Sequence, residues 1–282
     1  MPLLGAHESI SGGLYRAFDR VREVGGEALQ ILPRNERQWH APPLTEETTA
    51  LFRQSWEKSG RIPVAAHDSY LINLAATDSE KAEKSVSAFA EELQRVERLG
   101  IGYLIMHPGS HLGAGVEAGI DRFVSSLDRG LARSGTSRVT VLIETTAGQG
   151  SNLGSTFQEI ASILSASRFG DRLGVCFDTC HVFAAGYDIR TEEAYRETFS
   201  HFDHIIGLHR LRFFHLNDSK RGLGSRVDRH EHIGKGKIGP GAFRLLLNDP
   251  RFRRHPMVIE TPKGKDLSKD RENLRLLHSL LE

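Results

Sequence analysis

Eight short apolar runs, alternating with eight longer amphipathic segments, predict an α/β chain closed into a single (β/α)8 TIM barrel. Size agrees, because 282 residues suit such a barrel as one domain over residues 1–282. Strands are expected near 2–6, 27–32, 62–66, 102–107, 139–144, 173–178, 211–216 and 256–260. Helices fall between them, near 12–25, 45–59, 79–99, 116–134, 156–168, 191–206, 240–248 and 268–281. Thr45, followed by Glu46 and Glu47, opens the second helix with a capping hydroxyl, and Pro240 opens the seventh. Gly25, Gly60 and Gly100 follow helices, where a left-handed cap is expected.

Composition narrows the function classes. Hydrophobic residues make up 39% and charged residues 26%, which is ordinary for a soluble globular chain. No apolar stretch approaches the roughly 18 residues of a membrane span. The start, MPLLGAHESI, lacks a charged segment followed by a long apolar core, so no signal peptide is expected. Cys176 and Cys180 flank Asp178 and form no disulfide framework, which makes a reducing cytoplasm the expected location. The net charge of +1 does not by itself announce a nucleic-acid binder.

Six of the apolar runs stop on a metal-capable side chain. IPVAAH ends on His67, YLIMH on His107, VTVLIE on Glu144, LGVCFD on Asp178, LRFFH on His215 and MVIE on Glu260. His181, Asp228 and His230 lie in adjacent loops. Side chains alternate along a strand, so Glu144 shares a face with Leu142 and Asp178 with Cys176. A lone strand-end histidine is more often a buried polar residue with its hydrogen bonds satisfied. Six strand ends plus three loop residues at one mouth point instead to a polynuclear metal site at the C-terminal face of the strands.

GVCFDTCHVFAAGYD (174–188) and FHLNDSK (214–220), followed by GSRVDRHEHIGKGKIG (224–239), resemble the endonuclease IV family of apurinic/apyrimidinic endonucleases. GAHESISGG (5–13), NERQWHAPPL (35–44), HDSYLINLA (67–75), MHPGSH (106–111), LIETTAGQG (142–150) and VIETPKG (258–264) match it in order along the whole chain. The resemblance implies three Zn2+ per chain, although manganese or iron fits the same donors. His67 and His107 would hold the first ion, with Glu144 bridging to the second. Asp178, His215 and Glu260 would complete the second, and His181, Asp228 and His230 would hold the third.

The implied reaction is hydrolysis of the phosphodiester 5′ to an abasic site in duplex DNA. It would leave a 3′-hydroxyl and a 5′-deoxyribose phosphate, and the family also clears blocked 3′ ends. Metal ions suit this chemistry because they lower the pKa of water to about 7 and offset phosphate charge. Glu144 and Glu260 would serve catalysis by holding metals and orienting the attacking water. Arg37, Gln38, Tyr70 and Leu71 would enter the DNA at the lesion, where an abasic nucleotide is the cheapest to extrude. A basic loop from Lys220 through Arg229 to Lys237, with Lys263 and Lys265 beyond it, would meet phosphates. Among the other polar residues, His7 and His111 are candidates to support ligands, as are Asn217 and Asp218. A monomer is expected by the same resemblance, and no membrane partner.

Two rivals remain. A metal-dependent sugar isomerase shares such a barrel and metal placement, but has no use for Asp228 and His230, the RQW and SYL loops or the basic rim. A non-catalytic binder of damaged DNA would not need complete ligand sets. The four acidic ligands contribute −4 to the total of +1, so three dications would bring the loaded chain to +7. That charge would sit at the proposed DNA face.

Overall fold

The computed structural model describes every residue except Glu36, Arg37 and His40. Its first seven strands are β1 (Leu3–His7), β2 (Ala28–Ile31), β3 (Val64–His67), β4 (Tyr103–Met106), β5 (Thr140–Glu144), β6 (Leu173–Asp178) and β7 (Leu211–His215). A short antiparallel ribbon of β8 (Asp218–Ser219) and β9 (His230–Glu231) follows, before β10 (Pro256–Ile259). Strands β1 to β7 and β10 are parallel, and β10 closes the barrel by pairing with both β7 and β1.

Helices α1 (Arg16–Glu23), α2 (Glu46–Lys58), α3 (Ser79–Leu99), α4 (Val116–Ser134) and α5 (Phe157–Ala166) form the first part of the outer layer. After α6 (Thr179–Ala185) come α7 (Glu192–Ile205), α8 (Pro240–Leu247) and α9 (Ser268–Ser279). Capping chemistry sets several ends. The Thr45 hydroxyl accepts from Thr48 N at 3.0 Å and the Asp78 carboxylate from Lys81 N at 2.9 Å, each worth about 1 kcal/mol. Gly100 ends α3 at φ 87°, a conformation that costs a residue with a side chain.

Two apolar layers result. The larger lies between strands and helices and includes Phe177, Phe199, Phe202, Phe214 and Phe252, all fully buried. Each such ring contributes about 1.5–3 kcal/mol on leaving water. The smaller layer is Ala28, Ala65, Ile105, Leu142, Cys176, Phe213 and Val258, one from each of seven barrel strands, packed together inside the barrel. On the eighth, a Cβ on Gly5 would lie 1.7 Å from the Ala28 carbonyl oxygen, so that position admits no side chain.

The expected strands and outer helices agree with these elements to within a few residues. The first helix starts at Arg16 rather than near 12, because Ser11, Gly12 and Gly13 turn instead, with Gly13 N bonded to Ile10 O at 2.9 Å. Helix α6 and the ribbon were not foreseen. Asp178 ends β6 and also caps α6, its Oδ1 accepting from His181 N at 2.8 Å. A seven-residue helix started by such a cap leaves too little periodicity to read.

Candidate metal centre

Two residues beyond each member of the inner layer, alternation returns the side chain to the barrel axis. Those positions are Gln30, His67, His107, Glu144, Asp178, His215 and Glu260, and His7 stands two beyond Gly5. A polar ring of eight therefore sits directly on an apolar floor. Six of its members are residues expected as ligands. The other two are His7, foreseen as a supporting residue, and Gln30, which was not foreseen.

Glu144 is fully buried, and its two oxygens face different partners. Oε2 lies 3.0 Å from His67 Nε2 and 3.0 Å from His107 Nε2. Oε1 lies 2.9 Å from His215 Nδ1 and 3.3 Å from His181 Nδ1. His215 Nδ1 is also 3.2 Å from Glu260 Oε2 and 3.7 Å from Asp178 Oδ2. One group able to hold an ion is thus His67, His107 and Glu144, and another is Glu144, Asp178, His215 and Glu260. Beside them, Asp228 places Oδ2 3.2 Å from His181 Nε2 and Oδ1 3.3 Å from His230 Nε2. Asp178 closes on the same two rings. Cys180 also comes within reach of Asp228 and His230, and burial, with the Asp178 charge adding to it, pushes its thiol up to about 12.

The rings are oriented for metal. His67 Nδ1 donates to Asp68 O at 2.8 Å, His181 Nδ1 to Thr145 O at 2.8 Å and His230 Nδ1 to Glu260 O at 3.1 Å. A carbonyl only accepts, so each bond fixes the tautomer and turns Nε2 toward the carboxylates. Charge agrees. Burial alone would lower the His67 pKa, yet the hydrogen bond and charge of Glu144 outweigh it and carry the group up to about 9. His181 is also raised, against its burial, by Asp178 and Asp228. Four clustered carboxylates thus call for positive charge at the nitrogens left free, and dications fit that donor set.

Supporting residues divide unevenly. Asn217 Nδ2 donates to Asp178 Oδ2 at 2.7 Å, and its Oδ1 accepts from Glu260 N at 2.8 Å, so it ties together two of the residues expected as ligands. Among the described residues, Asp218 bonds none of the expected ligands through its side chain. Its carboxylate accepts from the backbone N–H groups of Ser219, Gly234, Gly236, Ile238 and Gly239, and so anchors the loop beyond the ribbon. His111 accepts from Gly115 N at 3.2 Å, at the start of α4. Gln30 and Thr145 escaped the sequence reading. Gln30 could have been found as the one amide inside the apolar run ALQI.

A cavity of about 590 Å³ opens over the ring, lined among others by His7, His107, His181, Asp228 and Glu260. Tyr70 stands at its edge with 68% of its surface exposed, whereas Leu71 is half-buried. Gln38, Lys220 and Arg229 are exposed, and Arg37 lies outside the described residues. The loop carrying Gln38 is tied to α3. Arg34 pairs with buried Glu92 at 2.6 Å and donates to Trp39 O at 3.0 Å, and Lys84 sits 4.3 Å over the Trp39 ring. Lys263 is less free than expected, being paired with Asp270 at 2.6 Å.

Residues 18–280 match the family described as the xylose isomerase-like TIM barrel, which gives the class. Its fold recurs in a D-tagatose 3-epimerase-like protein at 17% identity and a TM-score of 0.73 over 99% of this chain and 97% of that one, a likeness of fold alone. Closer relatives narrow it. "Probable endonuclease 4" of Chloroflexus aurantiacus is 52% identical over 282 residues, covering 100% of this chain and 99% of the relative. The crystal structure of endonuclease IV from Thermus thermophilus superposes with a TM-score of 0.89 at 37% identity, over 99% of this chain and 98% of that one. The chain belongs to the endonuclease IV family and is a nuclease.

Proposed function

We propose that this protein is a DNA-repair endonuclease that hydrolyses the phosphodiester 5′ to abasic sites in duplex DNA. It would leave a 3′-hydroxyl and a 5′-deoxyribose phosphate, and would clear blocked 3′ ends. The observation that carries the reading is the convergence of His67, His107, Glu144, Asp178, His181, His215, Asp228, His230 and Glu260 around one mouth in a chain of this family. We assign them to three Zn2+, with manganese or iron as substitutes. Bound there, the ions would supply Lewis acidity toward water and the phosphate.

The chain's own residues do the positioning. Glu144 links two ligand groups through its separate oxygens, and Glu260 presents Oε2 to His215 while Oε1 is held elsewhere. Asn217 holds Asp178 and the Glu260 backbone in one frame, so these groups need little rearrangement as phosphate charge develops. Tyr70, Leu71, Arg37 and Gln38 are assigned to the gap left by the missing base, and Lys220 and Arg229 to flanking phosphates. The reading takes residues 1–282 as one monomeric domain.

The test is a labelled duplex carrying one tetrahydrofuran abasic analogue, together with metal analysis of the protein. The analogue cannot undergo β-elimination, so a 3′-hydroxyl product identifies hydrolysis. Cleavage 5′ to the analogue is expected, and its absence with metal-loaded protein overturns the proposal.

A further inference from the structure

One member of the ring of eight is neither an acid nor an imidazole. Gln30 is fully buried on β2, paired in register with His7 on one side and Ala65 on the other. Its amide is wholly engaged by the site. Nε2 donates to Glu260 Oε1 at 2.5 Å and contacts His7 Nδ1 at 3.0 Å, while Oε1 lies 2.7 Å from His215 Nε2.

The chemistry of the partners allows one arrangement. The Glu260 carboxylate accepts only, so the amide nitrogen must face it. The amide oxygen then faces His215, whose Nε2 must carry the proton. His215 Nδ1 is left with its lone pair turned to Glu144, Asp178 and Glu260, at 2.9, 3.7 and 3.2 Å. The same amide separates the two Glu260 oxygens: Oε1 is held by Gln30 and Oε2 faces His215. The other three oriented rings, His67, His181 and His230, are set by backbone carbonyls. In His215 alone of these four the task falls to a side chain, and one that mutation can remove.

We propose that Gln30 is the positioning residue of the group formed by Glu144, Asp178, His215 and Glu260, fixing the His215 tautomer and the Glu260 carboxylate together. The inference rests on the reading that this group holds a metal ion. An apolar side chain here would leave His215 Nε2–H without a partner in a buried site and free Glu260 Oε1 to turn. A glutamate would add a further carboxylate beside Glu260. A neutral amide supplies both an acceptor and a donor without competing for the ion.

The test compares Gln30→Met, which keeps the length without the polar atoms, with Gln30→Asn, which keeps the amide one methylene short. Zinc release to a colorimetric chelator and the absorption of Co2+-loaded protein are read beside wild type. Both variants should hold one of the bound ions about 10- to 100-fold more weakly and keep the others. The cobalt spectrum should change, and kcat on the tetrahydrofuran duplex should fall with KM little altered. Unchanged zinc release and an unchanged cobalt spectrum in either folded variant overturn the proposal. Loss of all ions together in both variants, or unfolding of both, assigns Gln30 a merely structural role and overturns it too. Wild type that neither binds zinc nor cuts refutes the metal reading itself, which separates the two failures.

Discussion

Six of the nine converging ligand candidates arrive on strand ends, while three arrive on a short helix, a ribbon and the loop leading into that ribbon. The two deliveries depend on different physics. His67, His107, Glu144, Asp178, His215 and Glu260 stand where the barrel register places them, each two residues above a packed apolar side chain. Moving one requires shifting a strand against both neighbours. His181 is placed by the Asp178 cap, His230 by a ribbon of two residues a side, and Asp228 by the loop before it, where its N–H donates to Gln149 Oε1 at 3.0 Å. That ribbon is steadied by Asp218, whose carboxylate gathers five backbone N–H groups from 219 to 239. The barrel thus builds one part of the centre, and local hydrogen bonds build the rest.

The sharpest way to break this comparison is Glu144→Gln. It removes charge from the one carboxylate facing both strand-end groups, so cleavage should fall on the order of 10³-fold. Metal analysis should show both of those groups depleted. Full zinc content with full activity would show that the strand-end groups do not act as described. Next in size is Asp218→Asn, which turns an acceptor into a donor inside the N–H cage and should cost about 1–3 kcal/mol in denaturant unfolding. Its metal loss should be selective, emptying the His181–Asp228–His230 group first. Equal loss from all groups would show that ribbon and barrel behave as one unit.

Tyr70→Ala tests the rim rather than the centre. Stacking of an aromatic ring on a base is worth about 1–3 kcal/mol, so affinity for the tetrahydrofuran duplex should drop about 5- to 100-fold with zinc content unchanged. Coupled loss of metal would mean that Tyr70 supports the ring instead. The smallest effect concerns Glu8, one residue past the ring and outside it. Its carboxyl is buried, Oε1 has no hydrogen-bond partner among the described residues, and burial holds the group up to about 7 against the pull of Lys263. The folded chain therefore keeps a proton that the unfolded chain has already given up. Stability from this group is full below about 4.5 and is lost as pH rises through about 7. Glu8→Gln should raise Tm by roughly 2–4 °C at pH 8 and leave it unchanged at pH 4. A rise of equal size at both pH values would show that ionisation is not the cause.

The difference between the two deliveries also explains what could be read from the sequence. Strand-end ligand candidates announce themselves, because an apolar run of period two that stops on His, Asp or Glu is a visible pattern. The barrel was legible for the same reason. Helix α6 and the ribbon were not, since seven residues after a cap and two residues a side carry no periodicity. Asp218 looked like a ligand support because it follows His215 closely, yet its role depends on backbone donors sixteen or more residues away. Gln30 carries no such signal, because metal chemistry is announced in a sequence by acids, imidazoles and thiols. An amide earns its place there only through partners on β1, β7 and beyond β10.

The apolar floor beneath the ring also governs traffic. Ala28, Ala65, Ile105, Leu142, Cys176, Phe213 and Val258 close the barrel from below, and the backbones of β1 and β2 meet where Gly5 leaves no room. The open side of the ring is then the mouth, under the cavity of about 590 Å³. Whatever lies across the mouth becomes the gate for exchange. Under the proposed function, duplex DNA seated there would cover the centre and slow the exchange of any ion it holds.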